Sequence, residues 1–293
     1  MKTVYLQYLL ALLIFGMNGI VAHFITIDSA YIMLIRAVLG ALFLALIMLF
    51  KRKKPELSAI RHNLLWLCLS GCALSLSWIS VFEAYRLNGV SVSQILYYCG
   101  PAVVMVLSPV LFHERLTRTK LCGFVIVLFG MVLLNLEGFS GTGSMRGILL
   151  AMLGALFYAA MIIFCKQVHG VDGVQSTIVQ FLSAIVMIGL FLFLRGGGFL
   201  VQIPRTELLP LLILGICNTG LGCLLYFSAV PKLPAQRVSI LSYLDPMSAL
   251  LFAALFLGEH VAGVQAFGCA LILLGALGSE LLPVLIGKWD GSD

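Results

Sequence analysis

Residues 233–260 read LPAQRVSILSYLDPMSALLFAALFLGEH, with Tyr243-Leu244-Asp245-Pro246 at the centre. The 24 residues from Pro234 to Leu257 are predominantly apolar, and a transmembrane helix needs roughly 20 such residues to cross a hydrocarbon core of about 30 Å. The stretch therefore reads as one membrane-spanning helix, with Asp245 near its middle. An ionised carboxylate at that depth costs at least about 2.5 kcal/mol, so it is expected to face a polar cavity, pair, or bind a proton. Pro246 has no N–H to give to the carbonyl of Ser242, which predicts a kink there. Carbonyls released by such a kink can face a cavity rather than lipid.

A second copy of the stretch lies 145 positions earlier. Subtracting 145 carries Pro246 to Pro101, Glu259 to Glu114, Tyr243 to Tyr98, Gly268 to Gly123 and Gly275 to Gly130. The copies part where chemistry would: Asp245 falls on Gly100, Ser242 on Tyr97 and Ser239 on Gln94. Proline-interrupted spans at matching places in two halves are the sequence mark of a transporter binding site, so Pro101 and Pro246 are candidate hinges.

Composition excludes an ordinary soluble domain, because 61% of residues are apolar and 10% charged where about 25% charged is usual. Ten apolar segments separate at polar breaks, near 4–24, 31–50, 63–86, 90–112, 119–136, 147–166, 175–194, 208–229, 234–257 and 262–282. The fold expected is all-α and integral to the membrane. The run from Val4 to Phe24 is too long for a secretory signal and reads as a retained first span. With the N-terminus in the cytoplasm, thirteen lysines and arginines fall inside and only Arg86, Arg146, Arg195 and Arg205 outside, which favours both termini cytoplasmic in the cell membrane. The net charge of +6 is thus topological, and no nucleic-acid partner is implied.

Five spans per half make the second half enter from the opposite side, so residues 1–140 and 141–293 are expected to form two inverted five-helix repeats. The glycine-bearing linker from Glu137 to Met145 suits an external loop joining them. A weaker match at an offset of 140 pairs Ala11 with Ala151, Phe24 with Phe164 and Asn18 with Tyr158. Asn88-Gly89 and Pro231 to Pro234 are tight turns that set their flanking spans antiparallel. Small residues along the fifth and tenth spans, Gly123, Gly130, Gly268, Gly275 and Gly278, read as a close-packed or homodimer face.

Asp245 is the sharpest candidate for chemistry, with Ser239, Ser242 and Ser248 extending a polar strip around it; the bland reading is a protonated acid satisfied by a neighbour. Ser77, Ser80, Glu83 and Arg86 recur every three residues on the third span, where Glu83 either lines a cavity or pairs with Arg86 at the interface. Arg36 lies roughly 9 Å inside the second span. It either snorkels to the headgroups or neutralises Glu83, Asp245 or an anionic substrate group. Trp78, Tyr97, Tyr98, Tyr158 and Tyr243 could each be interfacial belt residues; beside a carboxylate their faces would favour an organic cation or zwitterion. Glu114 and Glu259 end matching spans and read as capping groups. The eight cysteines contain no C-x-x-C pair and the histidines are scattered, with no H-E-x-x-H and no phosphate-binding loop. No metal, cofactor or enzymatic site is expected.

The paired elements Gly100-Pro101 to Glu114 and Asp245-Pro246 to Glu259, each followed by a glycine-bearing span, resemble the drug/metabolite transporter superfamily and its EamA branch. The resemblance covers the whole chain, including Arg36 in the second span. It implies an inner-membrane carrier of small metabolites with a central cavity, often exporting amino acids. The role of Asp245 rests on the physical argument and is not carried by the resemblance. The expected function is alternating-access transport of a small polar or zwitterionic metabolite, with proton coupling open and the protein a monomer or homodimer. Uptake of choline or another quaternary amine in an aromatic cage is the alternative. A non-transporting membrane enzyme or scaffold, the third reading, predicts a dry centre with no cavity reaching Asp245.

Overall fold

The computed structural model describes residues 2–52, 56–136, 144–198, 201–258 and 260–289, with side chains excepted at 91 and 280–289. The described residues form fourteen α-helical segments and no strand. In order they are α1 (Lys2–Gly16), α2 (Asn18–His23), α3 (Ser29–Phe50), α4 (Leu57–Asn88), α5 (Val90–Tyr97), α6 (Cys99–Phe112), α7 (Arg118–Leu134), α8 (Met145–Lys166), α9 (Gly173–Leu194), α10 (Leu208–Leu212), α11 (Gly222–Ala229), α12 (Ala235–Leu241), α13 (Leu244–Phe252) and α14 (Gly263–Trp289). Among the described residues, eight stretches are long and apolar enough to cross a membrane. The protein is an all-α, multi-pass membrane fold.

Local chemistry sets the helix ends. Asp28 caps α3 by accepting from the Ala30 N–H at 2.9 Å, and Asp172 caps α9 by accepting from Val174 at 3.0 Å. Such caps satisfy donors that the first turn of a helix leaves open. Gly89, at φ +73, closes α4 and reverses the chain into α5. A conformation of that sign is one that glycine reaches without steric cost.

Helix contacts then follow the small residues. The long α4 packs between α8 and α9, where a Cβ on Gly71 would stand 2.2 Å from the Gln180 carbonyl and one on Gly154 3.3 Å from the Ser77 carbonyl. Ser70 donates to Gln180 Oε1 at 2.7 Å and Ser77 to the Gly154 carbonyl at 3.0 Å, so polar side chains bond across helices that have no water to bond to. α7 pairs with α14: a Cβ on Gly123 would meet the Gly275 carbonyl at 2.7 Å, and one on Gly130 the Gly268 carbonyl at 2.7 Å. A rising number on one helix meets a falling number on the other, so the two run antiparallel.

The stretch Pro234 to Leu257 corrects the expectation of one continuous kinked helix. It is broken at Ser242-Tyr243, between α12 and α13, and ends in a wider π turn over Ala253–Leu257. The matching break falls at Tyr98, between α5 and α6. Each proline lies three residues into its new helix, in the first turn, where a missing N–H costs no intrahelical bond. The chain thus restarts the helix ahead of the proline rather than bending over it. Two further interruptions lie at Met17, between α1 and α2, and over the π segment Ile213–Leu221. Glu259 lies outside the described residues, as do 137–143 of the expected linker.

Candidate functional site

The two proline breaks lie against each other. Tyr243 Oη donates to the Tyr98 carbonyl at 2.7 Å, and Ser239 Oγ donates to the Pro101 carbonyl. The Tyr98 and Tyr243 ring centroids are 6.1 Å apart. Backbone carbonyls at the first break are therefore satisfied by side chains from the second, not by the cavity that the sequence led us to expect. The Ser242 carbonyl accepts from the Asp245 N–H at 3.1 Å, a tightened turn that serves the acceptor Pro246 leaves open.

Beside this crossing lies a cavity that reaches Asp245. Asn18, Arg36, Trp78, Tyr97, Tyr98, Tyr158 and Asp245 all line it, and Leu12, Phe15, Leu74, Met161, Cys223, Tyr226 and Phe227 complete the wall. Its solvent-accessible interior is about 110 Å³. That exceeds the roughly 10–15 Å³ needed for one water and falls below the ~300–1,000 Å³ of drug-sized sites. In this conformation it has room for a small metabolite or a cluster of waters.

The cavity is bipolar. Tyr98 Oη donates to Asp245 Oδ2 at 3.2 Å, fixing one oxygen of the acid. Arg36 is 8% exposed; its Nε donates to Thr219 Oγ1 at 2.8 Å and its guanidinium lies 4.4 Å from the Trp78 ring centroid. Stacking of this kind contributes about 0.5–2 kcal/mol and leaves the outer edge of the guanidinium available. Thr219 in turn donates to the Leu214 carbonyl at 2.8 Å, five residues back, within the π segment. Widened turns of this type recur at functional sites. Among the described residues no carboxylate lies within 4.0 Å of Arg36, so neither Glu83 nor Asp245 is its ion-pair partner. Asn18 adds a buried Oδ1 with no hydrogen-bond partner.

Glu83 and Tyr243, the other two sequence candidates, are not on this wall. Tyr243 is wholly buried behind Tyr98 and packs on Phe124 at 6.2 Å between centroids. Glu83 pairs with Arg86 at 3.1 Å and with Arg195 at 3.5 Å in a separate pocket.

Sequence reasoning missed a hydrogen-bonded tyrosine lattice under the cavity. Tyr158 Oη bonds Tyr226 Oη at 3.3 Å and donates to Ser242 Oγ at 3.2 Å. Tyr8 Oη donates to the Val238 carbonyl at 2.9 Å and lies 2.9 Å from Ser242 Oγ. Tyr8 had no signal beyond being a polar aromatic residue inside an apolar run. Thr219 had one: the cluster Asn218-Thr219-Gly220 interrupts the eighth apolar segment.

The N-terminus of α12 is tied down by four other elements. Glu114, just after α6, accepts from the Ala235 and Gln236 N–H groups at 2.5 and 3.0 Å. Lys120 of α7 donates to Gln236 Oε1 at 2.8 Å, Lys166 of α8 to the Leu233 carbonyl at 2.5 Å, and Arg237 meets Tyr5 of α1. Glu114 is thus a capping group of a different span from the one it ends.

Comparison with known proteins now identifies the frame. The profile of the EamA-like transporter family matches residues 2–136 and again 145–280. The uncharacterized transporter YxxF of Bacillus subtilis is 24% identical over 279 residues, 94% of this chain and 88% of that protein. A protein of Salmonella typhimurium named a probable amino-acid metabolite efflux pump is 31% identical over 182 residues, 58% of this chain and 60% of that protein. A solved crystal structure superposes with a TM-score of 0.83 at 20% identity, covering 96% of this chain and 98% of that one, which shows the same fold. With both halves matched and a polar cavity at their broken helices, the chain belongs to the EamA-like transporter family and is a multi-pass membrane transporter of small molecules.

Proposed function

We propose that this chain is a secondary carrier that exports a small zwitterionic metabolite such as an amino acid, by alternating access between two inverted five-helix halves. The observation that carries the reading is the bipolar cavity, with Arg36 and Asp245 on one wall and no direct bond between them. A zwitterion supplies a carboxylate for the guanidinium and an ammonium for the acid, and Asn18 Oδ1 offers that ammonium a further acceptor. Aromatic faces of Trp78, Tyr97, Tyr98 and Tyr158 hold its side chain. A purely cationic ligand such as choline would gain from the rings but meet the buried charge of Arg36. This weighs against the quaternary-amine reading. The name of the Salmonella relative agrees with export of amino-acid metabolites.

Inversion is supported by α7 and α14. The 145-residue offset carries Gly123 to Gly268 and Gly130 to Gly275, so the contact of Gly123 with Gly275 maps onto that of Gly268 with Gly130. A two-fold axis lying across the helices produces that pattern. The 17 residues of α7 span about 26 Å, close to a full crossing, and with α14 would bring the eight long spans to ten. Pro101 and Pro246 are the hinges of this reading, and the distribution of lysine and arginine sets both termini in the cytoplasm.

The test is counterflow in proteoliposomes with amino acids and with choline. Asp245→Asn and Arg36→Gln are each expected to lower amino-acid flux at least tenfold while folding, judged by thermal unfolding, is retained. Unchanged amino-acid flux in Asp245→Asn removes the acid from the mechanism. Choline flux that exceeds amino-acid flux and survives Arg36→Gln establishes the quaternary-amine carrier instead. Repeating the assay under an imposed pH gradient decides proton coupling, since a uniporter shows no change.

A further inference from the structure

At the end of the bundle away from the lysine-rich loops lies a second pocket, lined by α4, α8, α9 and Arg195 just beyond α9. Its solvent-accessible interior is about 470 Å³, against about 110 Å³ for the central cavity. Three guanidinium groups, Arg86, Arg146 and Arg195, line it with a single carboxylate, Glu83, and the buried Ser80. Glu83 Oε1 takes one nitrogen each from Arg86 and Arg195, at 3.1 and 3.5 Å, and Asp28 reaches Arg195 from the rim at 3.5 Å. Each guanidinium has five N–H donors, so most of these donors are not taken up by the two carboxylates. Arg146 has no carboxylate within 4.0 Å among the described residues.

Two further facts point to a ligand. The positive-inside distribution leaves only four arginines at this end of the protein, and three of the four converge on one pocket. Arg146 is also the second residue of α8, where the positive end of the helix dipole disfavours a cation. Arg146 is exposed there, and an anion bound beside it would offset the penalty that water only partly relieves. We propose that the pocket is an oxyanion site, taking a phosphate-type group through guanidinium forks from α4, α8 and the segment after α9. Forked N–H pairs match tetrahedral and planar oxyanions, which a lysine cannot do in the same way. The group can belong to a lipid headgroup or to a soluble phosphate. Because α4 lies in the first family match and α8 and α9 in the second, the occupant joins the two halves at this end. The site is separate from the central cavity and does not depend on which substrate the carrier moves.

The test uses the full-length protein and two probes. Inorganic phosphate is titrated at constant ionic strength into protein held in phosphatidylcholine nanodiscs, with thermal unfolding as the readout. Lipid retention is measured in parallel by native mass spectrometry after reconstitution with phosphatidic acid in phosphatidylcholine. Binding in the first arm assigns a soluble oxyanion, and binding in the second a headgroup. In whichever arm binds, Arg146→Gln is expected to weaken binding roughly tenfold, the loss of one charge-assisted contact. Arg146→Lys, which keeps the charge without the fork, should fall between the two, and Arg205→Gln, outside the pocket, should match the parent protein. Equal binding by the parent and Arg146→Gln in both arms overturns the proposal, as does an equal loss in Arg205→Gln.

Discussion

Removing the carboxylate of Glu114 is expected to destabilise the whole bundle, although the residue is half-buried and near a chain reversal. It accepts the first two N–H groups of α12, at 2.5 and 3.0 Å, and the neighbouring Gln236 side chain donates back to its carbonyl at 3.4 Å. A hydrogen bond to a charged group contributes about 1.5–3 kcal/mol when buried, and a carboxylate at a helix N-terminus gains about 0.3–1 kcal/mol from the dipole. Because water can reach part of this site, the two bonds are discounted by roughly half, leaving about 2–4 kcal/mol for Glu114→Ala. At about 2–4 °C per kcal/mol for a chain of this size class, the apparent melting temperature should fall by roughly 4–16 °C.

Glu114→Gln retains one acceptor oxygen and loses the charge, so it should lose about half as much. The assay is thermal unfolding of detergent-purified protein followed by tryptophan fluorescence, with all variants scanned at one rate because such transitions are kinetically controlled. The reasoning fails if Glu114→Ala melts within about 1 °C of the parent protein, or if Glu114→Gln is the less stable of the pair.

Three other substitutions probe separate parts of the frame. In Gly275→Ala the new Cβ would stand 2.6 Å from the Gly123 carbonyl, a backbone atom that cannot move aside; overpacking of about 1–3 kcal/mol is expected, whereas Gly19→Ala, with nothing within 4 Å, should melt no lower than the parent. Thr219→Val removes the acceptor for Arg36 Nε at 2.8 Å. Substrate KM should rise severalfold with kcat little changed, and an unaltered KM would show that Arg36 needs no anchor. Tyr158→Phe loses bonds of 3.3 and 3.2 Å to Tyr226 and Ser242, worth about 1–2 kcal/mol together, and an unchanged melting temperature would show that the lattice is redundant.

The membrane class and the transporter family were legible because both rest on repeated, strongly patterned features. Long apolar runs are forced by the bilayer, and Pro101 and Pro246 recur at one offset with their tyrosines and glutamates. Seven of nine site candidates came together on one cavity because intramembrane charge and clustered aromatics are rare enough to be informative. Glu83 and Tyr243 were harder. Glu83 keeps helical register with Ser77 and Ser80, but the periodicity of one helix does not say which neighbour faces which side. Tyr243 matches Tyr98 in sequence, yet one of two rings stacked at a crossing must lie behind the other. The helix breaks were displaced by about one turn from expectation because proline is tolerated in a first turn, and nothing local says whether a helix kinks over a proline or restarts before it. Contacts such as Glu114 with Ala235 join residues 121 apart, and a single sequence carries no signal for them.

The bipolar cavity also explains why the two halves differ where they do. A Cβ on Gly100 would meet the Ala155 carbonyl and the Tyr158 ring, both at 2.8 Å, so in the first half the small residue is required by a large one on the facing helix. The counterparts of Gly100 and Tyr158, at offsets of 145 and 140, are Asp245 and Asn18. A glycine in the first half thus stands where the second has an aspartate, and a tyrosine in the second where the first has an asparagine, and all but the glycine line the cavity. The larger ring on one side and the shorter amide on the other leave the carboxylate of Asp245 opening onto space rather than onto a packed helix. On this argument Gly100→Asp would place a second acid against the Ala155 carbonyl and the Tyr158 ring, costing stability without creating a second binding group, while Tyr158→Asn would enlarge the cavity and admit bulkier substrates.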